Sequence, residues 1–437
     1  MNPTRRSILR WGGLALATSP LMGLLMLSIS GPSLLEKQRE AARREGIPLT
    51  SDDLRPNPPI PDSENAGPLL KELTERYNML PKRERSLWEK ATGDLLTKPS
   101  DANAMVAFDE GLTRYADLIV LLEQAAELPH CDLAYDWNQG PLLLFPEFAI
   151  VRNFARVLML RARTARDAKA AWADIARTAK LGNLIGETPC SIAALVYVAT
   201  HSIADRGYIE TLKRFGPSVQ AHDTLVAFGS PPEPEHYFGG ELVLNTMAMK
   251  LLHDGKLNNA DDNNENDFMG SSWRSFSFVA PVAAPIWEKQ ILIFWRQAFP
   301  KIREVQRTGC YEELGKWLNQ MGKSWELDRI NVPQNLMVLI LFPMFSSAPI
   351  RTHLHTAALR RLRESALALS EEKAKMGSFP DSPTLPADPF SKTGEPLRYK
   401  KEGAGCVLYS VGQDHTDDGG VEKREKNSEK LDLVVRL

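Results

Sequence analysis

The feature that most constrains this chain is an uncharged stretch near its N-terminus, residues 11–35. Arg5, Arg6 and Arg10 precede the stretch, and most of its residues are apolar. About twenty apolar residues in a helix cross the ~30 Å hydrocarbon core of a bilayer. We therefore expect residues 1–35 to form a signal or transmembrane anchor, and we expect residues 11–35 to hold the chain to the membrane without being cleaved.

Two other interpretations of this segment stay open. The sequence SIS before Gly31 is a weak site for signal-peptidase cleavage, and Arg5-Arg6 ahead of Ile8-Leu9 resembles a twin-arginine export signal. Basic residues lie on both sides of the stretch, so their number does not set its orientation. A short basic head is the usual start of an export signal. We expect a single-pass protein of the cell membrane whose bulk is extracytoplasmic (periplasmic).

Composition excludes several classes of function. The net charge is −2, and the apolar share of 43% and the charged share of 25% are those of an ordinary globular protein. No basic run with interleaved aromatic residues occurs, so we expect no nucleic-acid partner. The cysteines, which are widely spaced and form no C-x-x-C pair, are Cys131, Cys190, Cys310 and Cys406. This spacing excludes zinc-ribbon and thioredoxin-type sites and leaves disulfides and buried thiols open.

The middle of the chain has the pattern of amphipathic helices. Residues 36–68 predict a charged helix, stopped by Gly46, and then a proline-rich linker. Apolar residues at three- and four-residue intervals predict an α-helical domain over 69–350, with helices that pack as antiparallel hairpins. Within it, residues 101–128 predict one helix and residues 229–240 a proline-rich turn region. The uncharged residues 331–350 predict a buried core segment, with a second membrane span as the alternative.

Residues 351–437 predict a small α+β domain. A helix runs to Met376 and is closed by Gly377. Two strands follow at 396–400 and 406–411, separated by a hairpin loop, and residues 431–437 predict a third. The fold class is therefore mainly α: an N-terminal membrane anchor, a helical-hairpin body and a C-terminal three-stranded antiparallel sheet against one helix.

This C-terminal segment, from about residue 356, resembles the C-terminal domain of the major pseudopilin of type II secretion systems. The matching features are Gly377-Ser-Phe379-Pro380, Leu385-Pro386-x-Asp388-Pro389-Phe390, Gly394-x-Pro396-x-x-Tyr399, Tyr409-Ser410-Val411-Gly412-x-Asp414, Gly419-Gly420 and Leu431-Asp432-Leu433. The rest of the chain, including REGIPLTSDDL and ENAGP, resembles uncharacterised bacterial envelope proteins that combine an anchor, a helical domain and this same unit. That likeness implies an architecture and no activity.

The resemblance implies a calcium site in the loop after the penultimate strand. It places Asp414 and Asp432 as carboxylate ligands, with backbone carbonyls of Leu408 to Ser410 assisting. Proximity alone adds Asp417 and Asp418. Calcium takes six to eight oxygen ligands, which clustered aspartates and glycines supply. The alternative is that these residues serve turn geometry, and the lysine-rich insert EKREKNSEK places positive charge near the cation.

The chain departs from the pseudopilin pattern in its leader. A prepilin peptidase site carries a glutamate a few residues after its glycine, and residues 11–35 contain no acidic residue. Most of the chain also separates the leader from the pseudopilin-like unit, where a pilin has one continuous helix. We therefore expect a protein other than a processed fibre subunit.

Two classes of function remain after the motif search. No H-E-x-x-H, G-x-S-x-G, G-x-G-x-x-G or phosphate-binding loop occurs. The first hypothesis is a non-enzymatic binding, scaffold or secretion-associated protein with partners in the envelope. The alternative is an extracytoplasmic hydrolase, for example one acting on glycans, because an acid pair leaves no linear signature. Asp132 and Asp136, beside Trp137, are the place to look for such a pair, unless they only cap turns.

Overall fold

A computed structural model describes residues 33–254, 280–308, 348–391, 393–420 and 432–437, together with residue 256 and a few positions between 313 and 320. The described residues are mainly helical and carry one small antiparallel sheet, as the sequence predicts. None of the described helices is both long and apolar enough to cross a bilayer. The predicted anchor lies outside the described residues, except for its last three positions. The predicted core segment at 331–350 also lies outside them, apart from residues 348–350.

Eleven of the helices have bounds at both ends, and α1 covers 33–44 of the described residues. The others are α2 Gly67–Met79, α3 Lys82–Thr97, α4 Ala102–Arg114, α5 Ala116–Glu127, α6 Pro146–Thr164, α7 Ala168–Gly186, α8 Ser191–Phe215, α9 Val219–Ala227, α10 Pro234–His253, α11 Ala280–Thr308 and α12 Ala348–Met376. Short 3-10 turns occupy Ser51–Leu54, Asp62–Glu64 and Trp137–Leu142. The strands are β1 Arg398–Glu402, β2 Gly405–Ser410 and β3 Leu433–Arg436.

Two predicted boundaries were wrong, each for a local reason. The single helix predicted over 101–128 is two helices, because Tyr115 leaves helical geometry (φ −107°, ψ 26°) while the apolar stripe continues on both sides. The turn predicted over 229–240 ends early, because α10 begins at Pro234. Proline fits the first turn of a helix, where the backbone N–H groups have no intrahelical partner.

The chain forms two compact units, each built from separate stretches of sequence. The first comprises residues 1–55, 135–143 and 238–346. In it, Arg39 on α1 donates twice to the buried Glu288 carboxylate on α11, at 2.8 Å each. Arg296 on α11 donates to Glu45 at 2.9 Å. These ion pairs hold the charged helix α1, and the residue that directly follows it, against α11.

The second unit comprises residues 56–134, 144–237 and 347–437, and α8 lies at its centre. Helices α7 and α8 are antiparallel and approach closely at two glycines. A Cβ at Gly182 would lie 2.6 Å from the His201 ring, and one at Gly207 would lie 2.2 Å from Ile175. Larger residues at these positions would force the helices apart. Glycine destabilises the interior of a helix relative to alanine, and it occurs here because the two helices pack so closely.

Helix α6 packs on the α7–α8 hairpin and is tied to its neighbours by ion pairs. Arg161 pairs with Glu123 on α5 and donates to Asp174 on α7 at 2.7 Å. Arg163 donates to Glu210 on α8 at 2.8 Å. Asp174 is buried, so its charge depends on this arginine for compensation.

The C-terminal sheet has the order β1-β2-β3, with both neighbours antiparallel to β2. Ser410 at the end of β2 lies opposite Leu433 at the start of β3. Helix α12 ends at Met376 and is followed by Gly377 in left-handed geometry (φ +78°), as predicted. The helix contacts β2 and β3, and Ala358, Phe390 and Val411 form a small core there.

The same helix also packs on α8, where a buried ion pair joins the two elements. Arg363 of α12 donates to Asp205 of α8, and both residues are buried. The Arg363 guanidinium also lies 3.6 Å from the centre of the Phe228 ring. One helix is therefore shared by the sheet and the helical layer of this unit.

Candidate metal site in the C-terminal unit

The predicted aspartates lie at one end of the sheet. Asp432 immediately precedes β3, and the register places it beside Val411, the first residue after β2. The loop that leaves this end of β2 holds Asp414, Asp417 and Asp418. The strand pairing thus brings together residues that the sequence separates by the insert at 421–431, which lies outside the described residues.

Asp432 is buried, with 3% of its surface exposed. Its Oδ2 accepts a hydrogen bond from the Gly420 N–H at 2.8 Å. Its Oδ1 is buried and has no hydrogen-bond partner among the described residues. Burial raises the pKa of Asp432, and the nearby carboxylates of Asp418 and Asp417 add to this rise, while the backbone N–H groups of Gly420 and Asp418 oppose it. The charged form is therefore short of compensation in this site.

The Asp414 carboxylate likewise has one oxygen without a hydrogen-bond partner among the described residues. Its Oδ1 accepts from the Thr416 N–H at 3.1 Å, whereas its Oδ2 is buried and without a partner among the described residues. His415 holds the turn in place, because it has a left-handed backbone (φ +60°) and its Nδ1 donates to the Phe390 carbonyl at 2.7 Å. Two buried carboxylate oxygens at this end of the sheet thus have no hydrogen-bond partner among the described residues.

Asp417 and Asp418 differ from this pair. The Asp417 carboxylate accepts from the Tyr409 hydroxyl at 3.0 Å, from the Gly419 N–H at 2.9 Å and from Arg398 at 3.3 Å. Its acceptor capacity is largely used, and an arginine already compensates its charge. Asp418 is exposed. Neither side chain is held as a preformed ligand.

The two predicted backbone contributors lie in β2, the middle strand of the sheet. Leu408 pairs with Tyr399 on one side and with Val435 on the other, so its peptide groups belong to the ladder. The Ser410 hydroxyl donates to Asp388 at 2.7 Å. Ser410 and Leu408 therefore have a mainly structural role among the described residues.

Asp388 is the residue whose role the sequence did not reveal. It is buried, and its carboxylate accepts from the Ser410 hydroxyl at 2.7 Å, the Val411 N–H at 2.9 Å and the Phe390 N–H at 3.0 Å. These bonds fasten the segment before β1 to the end of β2. The motif Asp388-Pro389-Phe390 marked this position, but Ser410 and Val411 follow it in sequence by 22 and 23 residues.

The described residues fit a calcium ion in part. No group of three or more His, Cys, Asp or Glu side chains that could hold a metal ion occurs in the described part of the chain. The two unpaired oxygens of Asp414 and Asp432 are hard, anionic ligands of the kind that calcium prefers. Backbone carbonyls and water would have to supply the remaining ligands.

Each aspartate of the alternative acid pair holds a local turn. The Asp132 carboxylate accepts from the Ala134 N–H at 2.7 Å, and Ala134 has a left-handed backbone. Asp136 caps the turn Trp137–Leu142 and accepts from the Asn138 N–H at 3.2 Å. Both aspartates serve turn geometry, the structural reading that the sequence left open.

Comparisons with protein-family models, with curated proteins and with solved structures returned no match. Of the four cysteines, Cys131, Cys190 and Cys406 are buried, and Cys310 lies outside the described residues.

Proposed function

We propose that this chain is a membrane-anchored, extracytoplasmic, non-enzymatic binding or scaffold protein of the cell envelope, associated with secretion, whose pseudopilin-like C-terminal domain is stabilised by calcium. Residues 11–35 would tether it, and its partners would be envelope proteins. The resemblance of the C-terminal motifs to the major pseudopilin supports the association with secretion.

One observation carries the calcium part of the proposal. The Oδ2 of Asp414 and the Oδ1 of Asp432 are buried at one end of the sheet without a hydrogen-bond partner among the described residues. A buried carboxylate without compensation costs several kcal/mol by order of magnitude. A divalent cation would remove that cost by binding both oxygens, and it would tie the loop after β2 to the start of β3.

The packing of α12 supports the scaffold part. This helix contacts β2 and β3 and also packs on α8, where Arg363 pairs with Asp205. A sheet fixed in this way to a helical layer offers a rigid surface to a partner. It differs from a fibre subunit, in which the helix before the sheet continues into the membrane segment.

Calcium titration of the full chain tests the proposal. With free calcium at about 100 times its Kd, binding to the folded form alone adds about 2.7 kcal/mol to the free energy of unfolding. We expect calcium to raise the Tm in differential scanning calorimetry. Asp414→Asn and Asp432→Asn should each abolish the rise, whereas Glu372→Gln, an exposed carboxylate on α12, should keep it.

The measured quantity is the difference between the Tm in calcium and the Tm in chelator for each variant. An equal Tm in calcium and in chelator for the wild-type chain would overturn the calcium site. An undiminished calcium response in both asparagine variants would place the ion elsewhere.

A further inference from the structure

A second site lies in the helical layer, in a pocket between α2, α3 and α6. Its volume is about 120 Å³. The rings of Tyr77, Trp88 and Phe154 line it, and all three residues are buried. Phe154 packs edge-on against both other rings, with centroids 5.7 Å from Tyr77 and 5.6 Å from Trp88. These contacts make a rigid aromatic wall.

One arginine lines the pocket, and a second lies near it on the same helix. Arg156 lines it, and Arg152 lies one turn earlier on α6. Neither guanidinium has an ion pair or a hydrogen bond in the described part of the chain, and the Nε of Arg152 is buried without a partner. Burial lowers the pKa of Arg156, and the charge of Arg152 adds to this effect. Like charges one turn apart on a helix repel each other.

The same helix shows what a compensated arginine looks like. Arg161 and Arg163, further along α6, are paired with carboxylates on neighbouring helices. The pocket itself contains one acid, Glu89, which accepts from the Tyr77 hydroxyl at 2.7 Å and from the Asn153 amide at 3.5 Å. Glu89 forms no ion pair with either arginine in the described part of the chain. Arg156 therefore lies beside the aromatic wall without an ion pair among the described residues, and the Glu89 carboxylate lines the same pocket.

We propose that this pocket, the α6 arginine pocket, binds a small organic carboxylate that carries one apolar ring or a short apolar chain. The guanidinium fork matches a carboxylate with two parallel hydrogen bonds. The aromatic wall takes the apolar body, and the volume is close to that of a cavity of ~150 Å³ that holds benzene. The site is separate from the calcium site and does not depend on it.

Isothermal titration calorimetry of the full chain tests this inference with phenylacetate as the probe. Phenylacetate should bind at millimolar concentration or below, and neutral phenylacetamide and inorganic phosphate should each bind at least about tenfold more weakly. Arg156→Gln should weaken phenylacetate binding by about tenfold or more, and Arg152→Gln, which changes an arginine outside the lining, should weaken it less. Arg206→Gln, which removes an exposed arginine from α8, should leave the affinity unchanged.

Folding does not confound this test, because removing one of two repelling charges should leave the Tm of each glutamine variant equal to or above that of the wild-type chain. Equal affinity for phenylacetate and phenylacetamide, tighter binding of phosphate, or unchanged binding by Arg156→Gln would overturn the inference. So would the absence of phenylacetate binding to the wild-type chain.

A free peptide C-terminus presents the same chemistry as a small carboxylate. Gly-Gly-Phe and its C-terminal amide distinguish the two sources. If the free peptide binds about tenfold tighter than phenylacetate and the amide does not bind, the carboxylate comes from a protein partner. If phenylacetate binds as tightly as the peptide, the pocket takes the small molecule.

Discussion

At the scale of single residues, the ionised side chain of Asp432 is energetically unfavourable in the folded chain. The side chain is buried, one of its oxygens has no partner among the described residues, and its pKa is raised by burial. Its ionised form therefore costs free energy in the folded chain unless a cation is present. This conflict yields a prediction that runs against the usual cost of mutating a buried residue.

Asp432→Asn should stabilise the chain in chelator at neutral pH. The asparagine oxygen still accepts from Gly420, while the uncompensated charge is gone, so the free energy of unfolding should rise by about 1–3 kcal/mol. In saturating calcium the order should reverse, because only the wild-type chain binds the ion. Urea denaturation in both conditions measures the two differences.

The pH dependence of the wild-type chain in chelator gives a separate check. The folded-state pKa of Asp432 lies above its ordinary value of 3.8, so the unfolded chain releases this proton first as pH rises. The contribution of Asp432 to the free energy of unfolding should fall as pH rises from about 3.8 to the raised pKa and stay level above it, whereas carboxylates with lowered pKa values, such as Glu36 and Glu45, contribute in the opposite direction. Asp432→Asn should lack this fall, and an identical pH profile for the two proteins would contradict the assignment.

At the scale of elements, α12 depends on the buried ion pair between Arg363 and Asp205. Breaking a buried pair by removing one partner leaves an uncompensated charge. Arg363→Met should therefore lower the free energy of unfolding by about 3–5 kcal/mol, whereas the double variant Asp205→Leu/Arg363→Met should regain most of that loss. Urea denaturation followed by circular dichroism measures both.

The same helix supplies a control for that prediction. Arg360 and Glu364 form an exposed pair at i, i+4, with an Nε–Oε1 distance of 2.9 Å. Arg360→Met should cost less than about 1 kcal/mol, because exposed pairs are solvated and their side chains are mobile. Equal losses of unfolding free energy for Arg360→Met and Arg363→Met would show that burial does not determine how much an ion pair contributes to stability.

At the scale of the whole molecule, the shared helix α12 links the sheet to the helical layer of one compact unit. Calcium bound at the end of the sheet should therefore stabilise elements distant from it. We expect slower hydrogen exchange on calcium addition in β2, in α12 and in α8, measured by mass spectrometry, because all three belong to one packed body. Peptides from α11, in the other unit, serve as the internal reference. Protection confined to residues 408–420 would contradict this prediction.

Much of the fold follows from local patterns in the sequence. Helix α8, from Ser191 to Phe215, lies within the predicted helical domain over 69–350, because the apolar period of a helix is a local signal. The end of α12 at Met376 and the three-stranded antiparallel sheet were confirmed, because they too follow from local patterns. The break at Tyr115 was missed, because it interrupts the backbone without interrupting the apolar stripe.

The candidate sites were only partly predictable. The resemblance to the major pseudopilin named Asp414 and Asp432 as candidate metal ligands. The sequence by itself determined the helical body and the sheet through hydrophobic period, and the uncharged leader through charge. Only the tertiary structure decided which side chains have partners: Asp388 holds the end of β2, Arg363 meets Asp205, and Arg152 and Arg156 meet no acid among the described residues. The physical reason is distance along the chain. Helix and strand formation depend on residues a few positions apart, whereas compensation of a buried charge depends on elements that only folding brings together.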